Sequence, residues 1–167
     1  MHLAYIGLGS NLNGPRAQIE RALLAFDELP ETRLLRRSRL YRSLPWGRTD
    51  QPEFVNAAAV IGTRLTPRGL LDGLLSIERA AGRERGGERW GPRVLDLDVL
   101  VYADRAIDEP GLHVPHPHLC ERAFVLLPLA EIAPDLEVPG CGRVDALLAK
   151  IGTAGCTALE PEAARPQ

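Results

Sequence analysis

Apolar and polar positions follow two different periods along this chain, and the switches between them mark its elements. Leu3-Ala4-Tyr5-Ile6-Gly7-Leu8-Gly9 is a short apolar run that reads as a buried strand, closed by the turn-prone Ser10-Asn11-Leu12-Asn13-Gly14. Pro15 then opens a helix, since a first turn does not use the N–H that proline lacks. Ile19, Leu23 and Phe26 share one stripe of it and Pro30 ends it. Thr32 to Ser43 and Phe54 to Thr63 read as two more strands. The segment between them, Leu44 to Glu53, is too long for a tight hairpin, and loops of that length commonly carry function. Thr66 caps and Pro67 opens a second helix, which runs to Ala81 and stops at Gly82. At helical pitch Leu70, Leu71, Leu74, Leu75, Ile77 and Ala81 share a face, and Glu78 falls inside that apolar stripe. A carboxylate there needs a partner or a function, unless the nearby helix end lets it reach water or Arg83. A strand from Val94 to Tyr102 follows, then short pieces around Leu112-His113-Val114-Pro115 and a final helix starting near Glu121.

The order strand, helix, strand, strand, helix, strand fits an α+β split βαβ layout, a ferredoxin-like α/β sandwich with helices packed on a mostly antiparallel sheet. No repeat or linker divides the chain. Residues 1–157 are therefore expected to form one domain and residues 158–167, polar and proline-containing, a flexible C-terminal tail. The length of 167 residues suits one domain with a substantial core. A net charge of −2 means that no global basic field recruits nucleic acid. The basic residues are 19 arginines and the single Lys150, a bias of composition, so only clustered arginines carry weight. Cys120, Cys141 and Cys156 are odd in number and lack zinc-site spacing, and read as incidental reduced thiols. Neither a long apolar run nor a basic-then-apolar leader occurs, so a monomeric cytoplasmic protein without membrane contact is expected.

The segment Arg83 to Asp98 changes this picture. It holds Arg83, Arg85, Arg89 and Arg93, with Trp90, and ends Arg93-Val94-Leu95-Asp96-Leu97-Asp98. Successive side chains of a strand alternate faces, so Asp96 and Asp98 point one way and Leu95, Leu97, Val99 and Val101 the other. Two carboxylates about 6 to 7 Å apart along a strand can serve a pair of divalent ions, which sit about 3.5 to 4 Å apart in two-metal sites. Oxygen donors favour Mg²⁺, which binds through one or two carboxylates plus substrate phosphates. The plainer alternative is a strand with one wet acidic face. The stretch from Gly82 to Arg93, rich in glycine, reads as a mobile loop whose arginines can close on phosphate oxygens, or else as a solvated loop whose charges pair with Glu84 and Glu88. Trp90 offers a flat face for a base, or an anchor for the core.

Arg89-Trp90-Gly91-Pro92-Arg93-Val94-Leu95-Asp96-Leu97-Asp98 resembles the signature of the 6-hydroxymethyl-7,8-dihydropterin pyrophosphokinases. Other stretches resemble the same family in the same order: Tyr5 to Leu12, then Asp50-Gln51-Pro52 with Phe54 and Asn56-Ala57-Ala58, then Val114-Pro115-His116-Pro117 through Arg122-Ala123-Phe124. The likeness runs from about Leu3 to about Leu148. It implies transfer of the terminal diphosphate of ATP to the pterin's hydroxymethyl oxygen with release of AMP and the use of two Mg²⁺ ions, a step of folate biosynthesis. By that resemblance Asp96 and Asp98 hold the ions, and Arg83 and Arg93 contact the phosphates as catalytic clamps. Glu78, Arg85, Arg89, Trp90, Val99, His116 and Arg122 then line the ATP site. Ser43, Leu44, Trp46, Phe54, Asn56 and Phe124 form the pterin site, with Phe54 and Phe124 sandwiching the ring and Asn56 reading its edge. Without the resemblance both phenylalanines would be ordinary core residues. His116, held between prolines, reads as a rigid donor to phosphate or ribose, or as a turn histidine.

The pattern departs from some family members at Ser43, Trp46, Phe54, Leu75 and Pro117. Leu75 and Pro117 replace polar side chains, which puts ATP affinity in question. Two other functions use the same features. A ferredoxin-like sheet can present aromatics to RNA, but the chain has only eight aromatic residues (Phe, Tyr and Trp) and an acidic pair on the presumed face. An acidic metal pair can also serve a phosphohydrolase, with water as acceptor.

Overall fold

The chain runs through β1 (His2–Ser10), α1 (Pro15–Ala25), β2 (Thr32–Arg37), β3 (Tyr41–Ser43), β4 (Phe54–Thr63), α2 (Pro67–Ala80), β5 (Asp96–Tyr102), β6 (Ile107–Glu109) and β7 (Leu112–Val114). It continues through α3 (Ala123–Ile132), β8 (Glu137–Val138), β9 (Gly142–Arg143), α4 (Val144–Ile151) and β10 (Cys156–Ala158). The computed structural model describes residues 1–44, 50–82 and 94–160. In the main sheet β1 lies between β4 and β5 and is antiparallel to both. The order is β10-β3-β4-β1-β5, with β2 paired to β4 beside β3. Taking β2 and β3 as one bent position, this is the antiparallel order of a ferredoxin-like sandwich, and β1–α1–β2 and β4–α2–β5 are its two crossovers.

Each face of the sheet is covered by a different pair of helices. Ile19, Leu23 and Phe26 from α1 and the short helical turn after it, and Leu70 and Leu74 from α2, pack on Ala4, Ile6, Leu8, Ala59, Ile61, Leu97 and Val99. On the opposite face Leu126 and Leu129 of α3 and Val144 of α4 cover Ala58, Val60 and Leu100. The caps follow the chemistry of their residues. Pro15 sits at the first turn of α1 behind the left-handed Gly14 (φ 73°), and Thr66 Oγ1 accepts the Gly69 N–H at the start of α2.

Several expectations shift. The run from Thr32 to Ser43 is two strands rather than one, because Ser38 leaves the ladder: its N–H bonds Ala58 O at 2.9 Å and its hydroxyl accepts the Ala58 N–H at 2.9 Å. The predicted strand from Val94 begins at Asp96, and its register against β1 slips between Val99 and Val101. That bulge turns Val101 to the α3 side with Leu100, so it does not share a face with Leu97 and Val99. The helix expected near Glu121 is a 3₁₀ turn at Leu119–Glu121 followed by α3, and it is not the last one, since α4 follows. Strand pairing also continues beyond residue 157: Ala158 closes β10 opposite Tyr41, and the Leu159 N–H donates to Leu40 O. Among the described residues no helix is long and apolar enough to cross a membrane.

α3 is tied to the sheet by a polar cluster as well as by its leucines. The Tyr41 hydroxyl donates to Glu131, which also accepts the Arg39 backbone N–H at 2.9 Å and Arg39 Nε at 3.1 Å. Burial alone would raise the Glu131 carboxyl, but the bonds from Tyr41 and Arg39 outweigh it and hold the group below the usual carboxylate range. A depressed folded pKa gives stability that is complete above the unfolded value and fades as pH falls through the folded one. Chemical denaturation midpoints for Glu131→Gln should therefore fall below wild type at pH 7. The gap should narrow as the pH is taken below about 4.

Candidate active site

Three adjacent strands bring the acidic pair and the expected ring pocket to one face. Gly9 of β1 pairs with Asn56 on β4 and with Asp96 on β5. Directly opposed residues of antiparallel strands point to the same side, so Asn56, Gly9 and Asp96 form a row across the sheet, and Ala58, Gly7 and Asp98 form the next row. Strands lie about 4.8 Å apart, which puts roughly 10 Å between the first and last members of a row. Gly9 keeps the middle open: a Cβ there would come 3.2 Å from Asn56 Oδ1.

Asn56 is buried, and its amide nitrogen donates to Ser43 Oγ at 2.6 Å, which leaves Oδ1 turned toward Gly9. Phe54 lies two residues before Asn56 and faces the same side, pairing with Ser43. The Leu44 side chain is exposed and its N–H donates to Gly155 O at 3.3 Å. Phe124 stands in the first turn of α3, with the Arg122 guanidinium 5.5 Å from its ring centre. Ser43, Phe54, Asn56 and Phe124 are therefore positioned on the α3 side of the sheet or at its rim. Val99 is buried on the opposite face among the α2 contacts, so its side chain does not line this surface.

Asp96 and Asp98 do share a face, as their spacing predicts, and both are partly exposed. His116 Nε2 stands 3.9 Å from Asp98 Oδ2. The His116 N–H donates to Leu100 O at 2.9 Å, and His116 Nδ1 accepts the His118 N–H at 3.2 Å. With Nδ1 an acceptor, the ring proton lies on Nε2, aimed at the acidic side of the site. Burial lowers the His116 pKa to about 4, helped by the nearby positive charges of Arg122 and His118 and opposed by Asp96. At neutral pH it is a neutral donor, not a cation.

Glu78 is placed differently from the rest. It comes from α2, on the face opposite the acidic pair, and its Oε2 accepts the Leu97 N–H at 2.7 Å. Ser10, Asn11 and Gln51, to which the sequence assigns no site role, brace the same region. Ser10 Oγ donates to Val94 O at 2.5 Å, and Asn11 Nδ2 donates to Gln51 Oε1 at 3.0 Å and to Pro52 O at 2.9 Å. For Ser10 and Asn11 the signal in the sequence is a polar pair at the end of an apolar strand. Trp46, Arg83, Arg85, Arg89, Trp90 and Arg93 lie outside the described residues.

Fold and site define a class: a ferredoxin-like sandwich that carries an acidic pair and a buried polar residue, Asn56, on one sheet face. The family model described as 7,8-dihydro-6-hydroxymethylpterin-pyrophosphokinase matches residues 5–134, and the chain belongs to that family. It is 54% identical over 145 residues to the 2-amino-4-hydroxy-6-hydroxymethyldihydropteridine pyrophosphokinase of Pseudomonas aeruginosa, covering 87% of this chain and 89% of the relative. With the protein of that name from Methylorubrum extorquens it shares 49% identity over 160 residues, 96% of this chain and 100% of the relative. Crystal structures of Plasmodium falciparum HPPK-DHPS share the fold. One with STZ-DHP aligns at a TM-score of 0.72 and 15% identity, covering 89% of this chain but 45% of that longer one.

The tautomer and charge of His116 are directly measurable. An NMR titration of the ring resonances in the ligand-free protein should leave it neutral from pH 8 down to 5, with a midpoint near 4. A midpoint near 6.5 would show that the ring is more solvated than its packing requires.

Proposed function

We propose that this chain transfers the terminal diphosphate of ATP to the hydroxymethyl oxygen of 6-hydroxymethyl-7,8-dihydropterin, giving AMP and the pterin diphosphate for folate biosynthesis. The observation that carries the reading is the row Asn56, Gly9, Asp96, which sets a ring-edge reader and an acidic residue on either side of an open strand. A flat ring seated between Phe54 and Phe124, its edge on Asn56, extends its hydroxymethyl arm across Gly9 toward the aspartates. Aromatic faces supply contact area, and the buried amide supplies direction.

Asp96 and Asp98 fit a hard cation: two partly exposed oxygen donors on one face, open toward the side where phosphates would lie. Two Mg²⁺ ions held there would neutralise the polyphosphate and polarise the β-phosphoryl group. The protein's own contribution is then positioning and charge. The neutral His116 donates Nε2–H toward the phosphates, and Arg122, whose charge acts on His116 and whose guanidinium lies against Phe124, adds a cation. Arg83 and Arg93 act as catalytic clamps in this proposal, and Arg85, Arg89 and Trp90 contribute to the nucleotide site, as arginine's planar fork suits phosphate oxygens. Leu44 and Trp46 complete the pterin side. Attack of the hydroxymethyl oxygen on the β-phosphorus forms the new P–O bond and breaks the bond from the β-phosphorus to the bridging oxygen, which leaves with AMP, while the hydroxyl proton passes to solvent. A monomeric cytoplasmic enzyme with small-molecule substrates alone is part of the same proposal.

The test is an assay with ATP, Mg²⁺ and the hydroxymethyl pterin that reads AMP. AMP formed only when pterin is present supports the reading, whereas pterin-independent release of phosphate identifies a phosphohydrolase. Asp96→Ala and Asp98→Ala should each lower turnover roughly 100-fold or more while the circular dichroism spectrum stays that of wild type. Full activity in either variant contradicts the metal assignment. Phe124→Ala should raise the pterin dissociation constant about tenfold with little change for ATP, measured by calorimetry. Equal weakening of both ligands would contradict the sandwich.

A further inference from the structure

Among the described residues β5 ends the sheet: one edge pairs with β1 and the other has no neighbouring strand. An open edge at this point would leave the peptide between Asp96 and Asp98 without a partner. It has one. The Leu97 N–H donates to Glu78 Oε2 at 2.7 Å, and three residues on, Leu100 O accepts the His116 N–H at 2.9 Å. Glu78 is only 3% exposed and follows Leu70 and Leu74 at four-residue spacing on the buried stripe of α2, where the pattern calls for another leucine. Burying a carboxylate there is costly unless it is hydrogen-bonded, and a charge-assisted bond to a backbone amide is a strong one. The strand is also pinned just before the pair, where Ser10 Oγ donates to Val94 O at 2.5 Å.

We propose that Glu78 is a positioning residue that sets the direction of Asp96 and Asp98 by fixing the Leu97 peptide between them from the opposite face of the sheet. This rests on the reading of Asp96 and Asp98 as the cation-binding pair. Adjacent side chains of a strand diverge from the plane of the peptides that join them, so a rotation at Leu97 swings both aspartates. Glu78 holds that peptide as a neighbouring strand would. Its effect on nucleotide binding is then indirect, through the geometry of the pair.

Two measurements test this, one of them independent of turnover. In hydrogen exchange on the ligand-free protein the Leu97 amide should be protected in wild type and in Glu78→Gln, whose side-chain oxygen still accepts the bond. In Glu78→Ala it should exchange on the order of 100-fold faster, with Ile61 in the sheet centre unchanged. In the assay, the Mg²⁺ concentration for half-maximal AMP formation should rise about tenfold or more in Glu78→Ala, and Glu78→Gln should recover most of that loss. A Leu97 amide that exchanges freely in wild type overturns the proposal. So does a Glu78→Gln variant as impaired as Glu78→Ala, since the charge itself would then be what the ligand needs. If Glu78→Ala does not fold, wild type and Glu78→Gln still decide the matter. Absence of AMP formation by wild type would sink the proposed reaction and leave the exchange result to judge Glu78.

Discussion

The pairing of β1 with its two neighbours is the constraint on which the rest depends. Gly9 faces Asn56 on one side and Asp96 on the other, and a slip of one residue in either ladder would send one of those side chains through the sheet. The hydrophobic faces prevent the slip. Ile6 and Leu8 on β1, Ala59 and Ile61 on β4, and Leu97 and Val99 on β5 all lie against α1 and α2, so the same register that buries them turns Asn56 and Asp96 to the other side. The core and the site are two consequences of one alignment.

Around that row the polar groups work as braces. Ser43 orients the Asn56 amide, Glu78 holds the Leu97 peptide, the His116 backbone closes Leu100, and Asn11 joins the end of β1 to Gln51 and Pro52 before β4. Most of these bonds join segments far apart in sequence. They tie the strands that carry the face to the segments around it. Such bracing from behind the face suits a site whose catalysis is mostly positioning and charge neutralisation.

How much of this could be read from the residues differs by element. β4 and α2 agree with their predicted limits to within a residue, since an apolar strand bounded by turn residues and a leucine stripe behind Thr66-Pro67 are strong local signals. The break at Ser38 and the bulge near Leu100 are not local signals, because each arises from what the neighbouring strand offers. α4 and the two-residue strands before it are too short for periodicity to show. In the site, the shared face of Asp96 and Asp98 follows from a period of two. The placement of Asp96 across Gly9 from Asn56, and of Asp98 across Gly7 from Ala58, is a matter of register between distant segments, which no single stretch encodes. The sandwiching role proposed for Phe54 and Phe124 rests on family resemblance alone, and the inward turn of Glu78 shows in the sequence only as an acidic residue on the wrong stripe.

The claim that one row of the sheet joins the two substrates is tested most directly by a crystal structure with a non-hydrolysable ATP analogue, Mg²⁺ and the hydroxymethyl pterin. The account predicts ions on Asp96 and Asp98, the ring edge on Asn56, and the hydroxymethyl oxygen lying over Gly9 in line with the β-phosphorus. A pterin bound away from Asn56, or a triphosphate with its ions remote from both aspartates, would contradict it.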